Sequence, residues 1–421
     1  MVEAHAQSVD DYLIEGLSFK LGAGASYVTN RRSVSFFPSG SDTYSPASGV
    51  KVIKIKLNGS DWLDPSTVKL MFTLTNTDGT NAMTILSGPH SFFRRFRLVC
   101  NGQIVEDIDD YNRVHEMLTV LTSSAVRVND AVEGARVWDG AGGSETLAAN
   151  GKRKLGMKLC SGLLNQQKML PIRYAPLEIE LELVNQVADA QQGSTSWNIS
   201  DVQLKCDLVT LDNALDNSYA QHILAGKALP INYNTYISQS QVISGSTFAI
   251  NIARAATRLK SIFLTMVGTT HGDHGTNLKE YNNFWHPMST GKGAYDSGKE
   301  TEIHVQIGNK LFPEYPIRSA SESFSQLRKT MGIHQSPFHS LDITGPQYRD
   351  YKFICAIDTE KVLEAGFTGL NTRAGDLMTI RVQPVDSAGM GDTRPTKFSQ
   401  YCTLITSWRS GTRVYQSMTR G

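Results

Sequence analysis

The side chains best suited to chemistry in this sequence are two histidines and an aspartate on a glycine-bearing stretch, His271-Gly-Asp273-His274, with His286 a little further along. Imidazole and carboxylate hold divalent transition metals, but a site needs three or four ligands at fixed geometry, and this stretch offers two histidines without a firm third. The expectation is a solvated loop. An acidic run, Glu106, Asp107, Asp109 and Asp110, supplies the paired carboxylates that cation binding or acid–base catalysis would use. It stands directly before a helical pattern, where carboxylates accept from free N–H groups and meet the positive end of the helix dipole, so capping is expected.

Other signatures of catalysis are missing. The chain has no G-x-S-x-G elbow, no G-x-x-x-x-G-K-[ST] phosphate loop and no H-E-x-x-H helix, and Gly22-Ala-Gly24-Ala is too short to cradle a phosphate. Catalytic residues: none; cofactor-binding residues: none; metal ligands: none. The sequence predicts no enzyme, no cofactor and no small-molecule substrate. Basic residues cluster at Arg31-Arg32, Arg94-Arg95-Phe-Arg97, Lys152-Arg-Lys154 and, near the end, Arg409, Arg413 and Arg420. On a strand Arg95 and Arg97 share a face, which is expected either to be solvated or to meet phosphates or carboxylates of a neighbouring subunit. Trp62, Trp138, Trp197, Trp285 and Trp408 are the aromatic platforms that a carbohydrate-binding or hydrolytic β-sandwich would use, yet no carboxylate pair accompanies them at fixed spacing.

Composition narrows the classes further. The chain has 421 residues, 41 Lys plus Arg against 40 Asp plus Glu, and a net charge of +1, so no uniform field exists to hold a polyanion or an anionic membrane. Charged residues are 19% and hydrophobic ones 40%, too apolar for disorder; Ser, Thr, Asn and Gly replace the charge, which suits β-structure with long loops. Cys100, Cys160, Cys206, Cys355 and Cys402 form no CxxC pair and are odd in number, so they read as reduced, buried side chains. The first residues lack a secretion signal and no segment has the ~18 apolar residues of a membrane span, so the protein is expected not to be secreted. The sequons Asn58-Gly-Ser60 and Asn198-Ile-Ser200 are then chance matches.

The elements that would position these residues are strands. Ile53, Ile55 and Leu57 alternate with Lys54 and Lys56; Val68, Leu70, Phe72 and Leu74 follow, then Phe96, Leu98 and Cys100, then Leu177 to Leu183 against Glu178, Glu180 and Glu182, and Val202 to Leu208. One face of each is apolar and the other wet, the pattern of antiparallel sandwiches rather than buried parallel sheets. A second series runs in the same order: Phe248–Ile252, Ile262–Met266, Ile303–Ile307, Phe353–Ile357, Met378–Val382 and Cys402 to Trp408. Each series carries one helix in the same place. The first follows the acidic run, with Tyr111, Val114, Leu118 and Leu121 on one face; the second has Ala320, Phe324, Leu327 and Met331 on one face and a Ser319-x-x-Glu322 capping box.

Matching landmarks, Gly102 with Gly308 and Cys206 with Cys402, lie about 200 residues apart, far beyond the ~20–50 residues of a solenoid repeat, so the repeated unit is a domain. The fold class expected is all-β, two tandem eight-stranded antiparallel jelly rolls with a few short helices. The boundaries expected are 1–30 for an N-terminal arm, 31–210 for the first jelly roll, 211–230 for a linker helix and 231–421 for the second. In the arm, Leu13, Leu17 and Leu21 follow Ser8 at helical spacing; in the linker, Leu211, Leu215, Tyr219 and Ile223 precede Gly226. Long Gly-, Asn- and Ser-rich stretches at about 124–154 and 268–299 are expected to project from the surface.

Phe93-Arg-Arg-Phe-Arg-Leu-Val-Cys-Asn-Gly-Gln-Ile-Val105, Pro171-Ile-Arg-Tyr-Ala-Pro-Leu-Glu-Ile-Glu-Leu-Glu-Leu183 and Tyr233-Asn-Thr-Tyr-Ile-Ser-Gln-Ser-Gln-Val-Ile-Ser-Gly245, running into Ala255-Ala-Thr-Arg-Leu-Lys-Ser-Ile-Phe263, give the chain its resemblance to a known family. Over about residues 30 to 415 it resembles the double jelly-roll major capsid proteins of tailless icosahedral DNA viruses, the lineage of adenoviruses, virophages and polinton-like viruses. The resemblance implies a structural protein of the virion capsid, made in the host cytoplasm or nucleus. It implies a homotrimer whose six jelly rolls form a pseudo-hexagonal capsomer tiling an icosahedral shell. The implied partners are neighbouring capsomers, a single jelly-roll penton protein, minor capsid proteins, and genome or internal membrane at the inner face. The alternatives are the carbohydrate-binding or hydrolytic β-sandwich and a minor, vertex or spike protein of such a virus.

Overall fold

The computed structural model describes residues 27–47, 50–85, 87–130, 132, 146–227, 229, 231–243, 247–252, 256–268, 284, 286, 300–334, 341–350, 352–361, 369–372, 377–385 and 398–410. The first half contains β1 (Val28–Phe36), β2 (Thr43–Tyr44), β3 (Val52–Leu57), β4 (Trp62–Asn76), β5 (Met83–Ile85), β6 (Phe93–Cys100), β7 (Gln103–Ile108), β8 (Thr146–Leu147), β9 (Lys152–Lys158), β10 (Leu177–Leu183), β11 (Gln191–Gln192) and β12 (Trp197–Leu211). The second contains β13 (Ile231–Ile243), β14 (Phe248–Ile252), β15 (Leu259–Gly268), β16 (Thr301–Ile307), β17 (Lys310–Ile317), β18 (Cys355–Asp358), β19 (Met378–Pro384) and β20 (Phe398–Ser410).

The main sheets of the first half run β1-β12-β4-β9 and β3-β10-β6-β7; those of the second run β13-β20-β15-β18 and β14-β19-β16-β17. Substituting β13 to β20, in order, for β1, β3, β4, β6, β7, β9, β10 and β12 converts one description into the other. Both halves are therefore antiparallel jelly rolls of identical strand order, and the chain is all-β with short helices. The helix Tyr111–Val120 follows β7 and the helix Ala320–Thr330 follows the corresponding β17.

Alternation explains the sheets. β3 reads exposed-buried throughout, β10 reads buried-intermediate, and their inward side chains Ile53, Ile55, Leu57, Ile179 and Leu181 are fully buried. The first core is ordered by aromatics: Phe93 meets Phe72 edge-on at 5.5 Å, and Phe92 meets Trp197 at 4.9 Å. The second is built on Ile250, Phe263, Val305, Ile317, Phe353 and Ile380. Cys100, Cys160, Cys206 and Cys355 are free and buried, and burial pushes the Cys100 and Cys355 thiols up to about 11. Cys402 is outside the described side chains.

In an antiparallel sandwich successive connections leave alternate ends. Those from β4, β7 and β10 share one end, and there β5, β8 and β11 pair into a small sheet of order β11-β5-β8. Asp78 ties this end together: its carboxylate accepts from the N–H groups of Thr80, Asn81 and Thr195, at 2.8 to 3.0 Å, and from the Thr195 hydroxyl at 2.9 Å. The stretch expected to project at 268–299 lies outside the described residues except for Gly268, which ends β15, and Phe284 and His286.

Half of the expected capping box forms: the Ser319 hydroxyl accepts from the Glu322 N–H at 3.1 Å, but the Glu322 carboxylate accepts from the N–H of Arg318, one residue before the cap, rather than from that of Ser319. On that helix Met331 is 36% exposed rather than buried with Ala320 and Leu327. The linker helix runs Asn213–Leu224, capped by Asp212, and buries no residue fully. Its Tyr219 lies 4.9 Å from Trp62, and Asp216 pairs with Arg173 at 2.5 Å.

Candidate functional site

The residues that the fold brings together lie at the junction of the two jelly rolls. The helix Tyr111–Val120 is buried on two sides. Tyr111 and Val114 enter the first core, Tyr111 stacking on Phe96 at 5.5 Å, whereas Met117, Val120 and Leu121 belong to the second core. Leu118, expected on the buried face, is half-buried and touches both. In return Ile231 and Tyr233 of β13 enter the first core.

Polar contacts complete the junction. The Tyr233 hydroxyl reaches the Val105 carbonyl at 3.4 Å, and the Ser238 hydroxyl donates to the Asp109 carbonyl. Beside them Glu106, 2% exposed, accepts from the Ser161 hydroxyl and from the Gly162 N–H at 2.9 Å. Burial pushes the Glu106 carboxyl above its usual range against these hydrogen bonds, and burial does the same to Asp110. A Cβ on Gly162 would lie 1.5 Å from the Asn234 carbonyl oxygen, so only glycine lets the two backbones approach there.

The acidic run is thus not a cap. Asp110 sits at the helix start with φ 47° and no side-chain capping bond. Asp107 accepts both arms of Arg95, at 2.8 and 2.7 Å, and Asp109 pairs with Arg95 at 3.0 Å. Sequence adjacency to the helix pointed to capping, while the true partners lie across a strand pair or, for Glu106, more than 50 positions away.

Among the described residues, Arg31, Arg32, Arg94, Arg95, Arg97 and Lys154 are likewise paired within the chain. Across the outer face of β3-β10-β6-β7, Lys54 pairs with Glu180 at 2.5 Å, Glu180 with Arg97 at 3.2 Å, and Arg97 approaches Asp107 at 3.7 Å. Arg31 binds Asp64 and Asp207, Arg32 binds Asp61, and Lys154 pairs with Asp201. The carboxylates expected on a neighbouring subunit for Arg95 and Arg97 are therefore in their own sheet. Arg413, Arg420, His271, Asp273, His274, Trp138, Trp285 and the arm with Leu13, Leu17 and Leu21 lie outside the described residues, as do the side chains of Trp408 and Arg409. His286 is buried against Phe353 at 4.5 Å, and burial lowers its imidazole to about 3. Among the described residues no group of three His, Cys, Asp or Glu could hold a metal ion, and no helix is long and apolar enough to cross a membrane.

Sequence reasoning missed one knot of reactive types. His90 Nε2 lies 2.7 Å from Glu116 and 3.2 Å from Ser87, Ser87 donates directly to Glu116, and His115 stacks on His90 at 4.2 Å. Serine and acid converge on the same ring nitrogen, so no relay runs through the two nitrogens of one imidazole as nucleophile activation requires. Burial and the adjacent His90 lower His115 to about 3. The knot pins the helix Tyr111–Val120 to the segment before β6. Trp197 is buried, its Nε1 donating to the Val187 carbonyl at 3.0 Å, and Trp62 packs on Tyr219 above a groove of about 410 Å³ lined also by Met169, Pro171, Leu215 and Leu229. Neither is an open platform for a sugar.

No protein-family model and no curated protein matches the sequence. Solved structures are similar in fold. The Faustovirus major capsid protein matches with a TM-score of 0.62 at 8% identity, over 94% of this chain and 93% of that one. PBCV-1 VP54, fitted into a reconstruction of the virophage Sputnik, gives 0.59 at 13% identity over 94% and 98%. The Sputnik virophage structure gives 0.53 at 10% over 94% and 92%. This chain has the double jelly-roll fold of these proteins.

Proposed function

We propose that this protein is a viral major capsid protein, a structural subunit that forms a homotrimeric, pseudo-hexagonal capsomer and tiles an icosahedral shell. The observation that carries the reading is the duplication: two jelly rolls of identical strand order in one chain let three chains present six like units. The likeness in fold to capsid proteins over 94% of the chain supports it. In this reading residues 31–210 and 231–421 are the two units, 211–230 joins them and 1–30 is an arm whose last residues, Val28 to Asn30, already belong to β1. The partners in this reading are neighbouring capsomers, penton and minor capsid proteins, and genome or membrane at the inner face. Its place is the virion, and the chain carries no catalytic, cofactor or metal role.

The mechanism is burial of complementary faces, strongest within the trimer. An obligate trimer buries more than ~2,000 Å² per interface, while contacts between capsomers are smaller and more polar. Sedimentation of the purified chain at micromolar concentration is expected to give three times the 46.3 kDa chain mass. A folded species at the mass of one chain would contradict the proposal.

A further inference from the structure

Within one chain, the edge strand β7 and the helix after it are covered by the edge strand β13 of the second unit. The duplication assigns a counterpart to each: β17 for β7, the helix Ala320–Thr330 for Tyr111–Val120, and β1 for β13. These counterparts lack the cover. On β13, Ile231, Tyr233, Thr235 and Ser238 are at most 6% exposed, whereas β1 is exposed at every position from Val28 to Ser33. On β17, Tyr315 is 55% exposed and Glu314 is also exposed, where β7 has Glu106 and Ile108 buried.

A second observation singles out the same two edges. Among the described residues, the exposed aromatic side chains are Tyr27 and Phe37, flanking β1, and Tyr315 on β17. Exposed aromatics of this kind are the usual anchors of a protein interface. The pairing registers add a third. Leu63 bridges Leu170 as Leu259 bridges Leu370; Leu63 pairs with Leu208 and Leu259 with Thr406, which in turn pair with Arg32 and Thr235, so counting from these Ser35 stands where Ser238 stands. Ser238 is the residue whose hydroxyl bonds the β7 backbone.

We propose, resting on the trimer reading above, that β1 of one subunit docks on β17 and the helix Ala320–Thr330 of the next copy, repeating between chains the junction built inside each chain. The occupant is a second copy of this chain, because one chain has a single β1 and a single β17, at opposite ends of the duplicated order. The contact is heterologous, with different patches on the two sides, and such a contact closes into a ring when its rotation allows. It does not extend the sheet: Pro313 and Pro316 deprive β17 of donors. The Ser35 hydroxyl of β1 instead reaches a carbonyl of β17, while Ser33 stays bonded to Asp207 in its own chain, and the aromatics cover Leu311. The interface is more polar than the internal junction because both faces meet water before assembly; Lys329 is exposed near the end of the second helix, where Val120 is buried in the first.

The test is cross-linking of the full chain with a short bis-maleimide. The Ser35→Cys/Tyr315→Cys double variant is expected to give denaturation-resistant species of two and three chains, while either single variant and the unsubstituted protein stay at one. Tyr315→Arg is expected to weaken the trimer at least tenfold with an unchanged β spectrum. A trimer of the double variant that does not cross-link, or a Tyr315→Cys variant that cross-links to itself, overturns this interface and leaves the trimer standing. A folded unsubstituted protein that sediments as one chain overturns the trimer and the interface together.

Discussion

Gly162→Ala is expected to cost about 3–5 kcal/mol, a severe effect for one methyl group. The reason is steric. Gly162 needs no left-handed backbone, but its added Cβ would lie 1.5 Å from the Asn234 carbonyl oxygen and 2.6 Å from its carbon, and backbone cannot yield as a flexible side chain can. Relief requires β13 to move off the 161–163 segment and the Glu106 strand it brackets, which also parts Tyr233 from Val105 and Ser238 from Asp109. Gly102→Ala is the control: φ is +76° there and nothing lies within 4 Å, so only the backbone term of about 1 kcal/mol applies. Urea denaturation of the two variants checks this, and equal losses would refute close apposition of the two units at Gly162.

Met117→Ala is expected to cost about 2–5 kcal/mol, the range for removing a buried methionine side chain from a packed core. Its informative part is location. Met117 lies on a helix of the first unit yet is 1% exposed and belongs to the second core, with Val120 and Leu121. Hydrogen exchange should therefore quicken in β14, β16 and β19, far along the chain from the substitution. Quickening confined to the first unit would show that the helix does not join the cores. The Ser87-His90-Glu116 knot holds the helix on its other side, and there the hydrogen bonds and charge of His90 overcome burial to keep the Glu116 carboxyl below its usual range.

The sequence made the core strands legible because their environment imposes a period of two. Leu177–Leu183 is buried at every odd position and intermediate at every even one, so its pattern and its bounds could both be read. β1 was not legible: Val28–Phe36 is exposed along most of its length, and a strand with no buried face leaves no alternation. The same exposure makes it a candidate for contact with another chain. The acidic run was misread because local spacing favours caps, while the Arg95 ladder and the Ser161 bracket depend on sheet register that a single sequence does not display. The helix Tyr111–Val120 misled for a related reason. A one-sided stripe fits Tyr111, Val114 and Leu118, but Met117 and Val120 serve a second core that is visible only once the duplication is folded.

The arrangement of charge follows from this architecture. Lys54, Glu180, Arg97 and Asp107 form a ladder across four strands, exposed enough that each pair contributes about 0.2–1 kcal/mol. It fixes register and pairs Arg97 within its own sheet.

The central claim is that two like jelly rolls in one chain let three chains imitate six. Negative-stain imaging of the purified protein tests it most directly. Averaged views down the particle axis should have six lobes with threefold symmetry, alternating between the two units. Averages with one pair of lobes, or with a symmetry other than threefold, would contradict it.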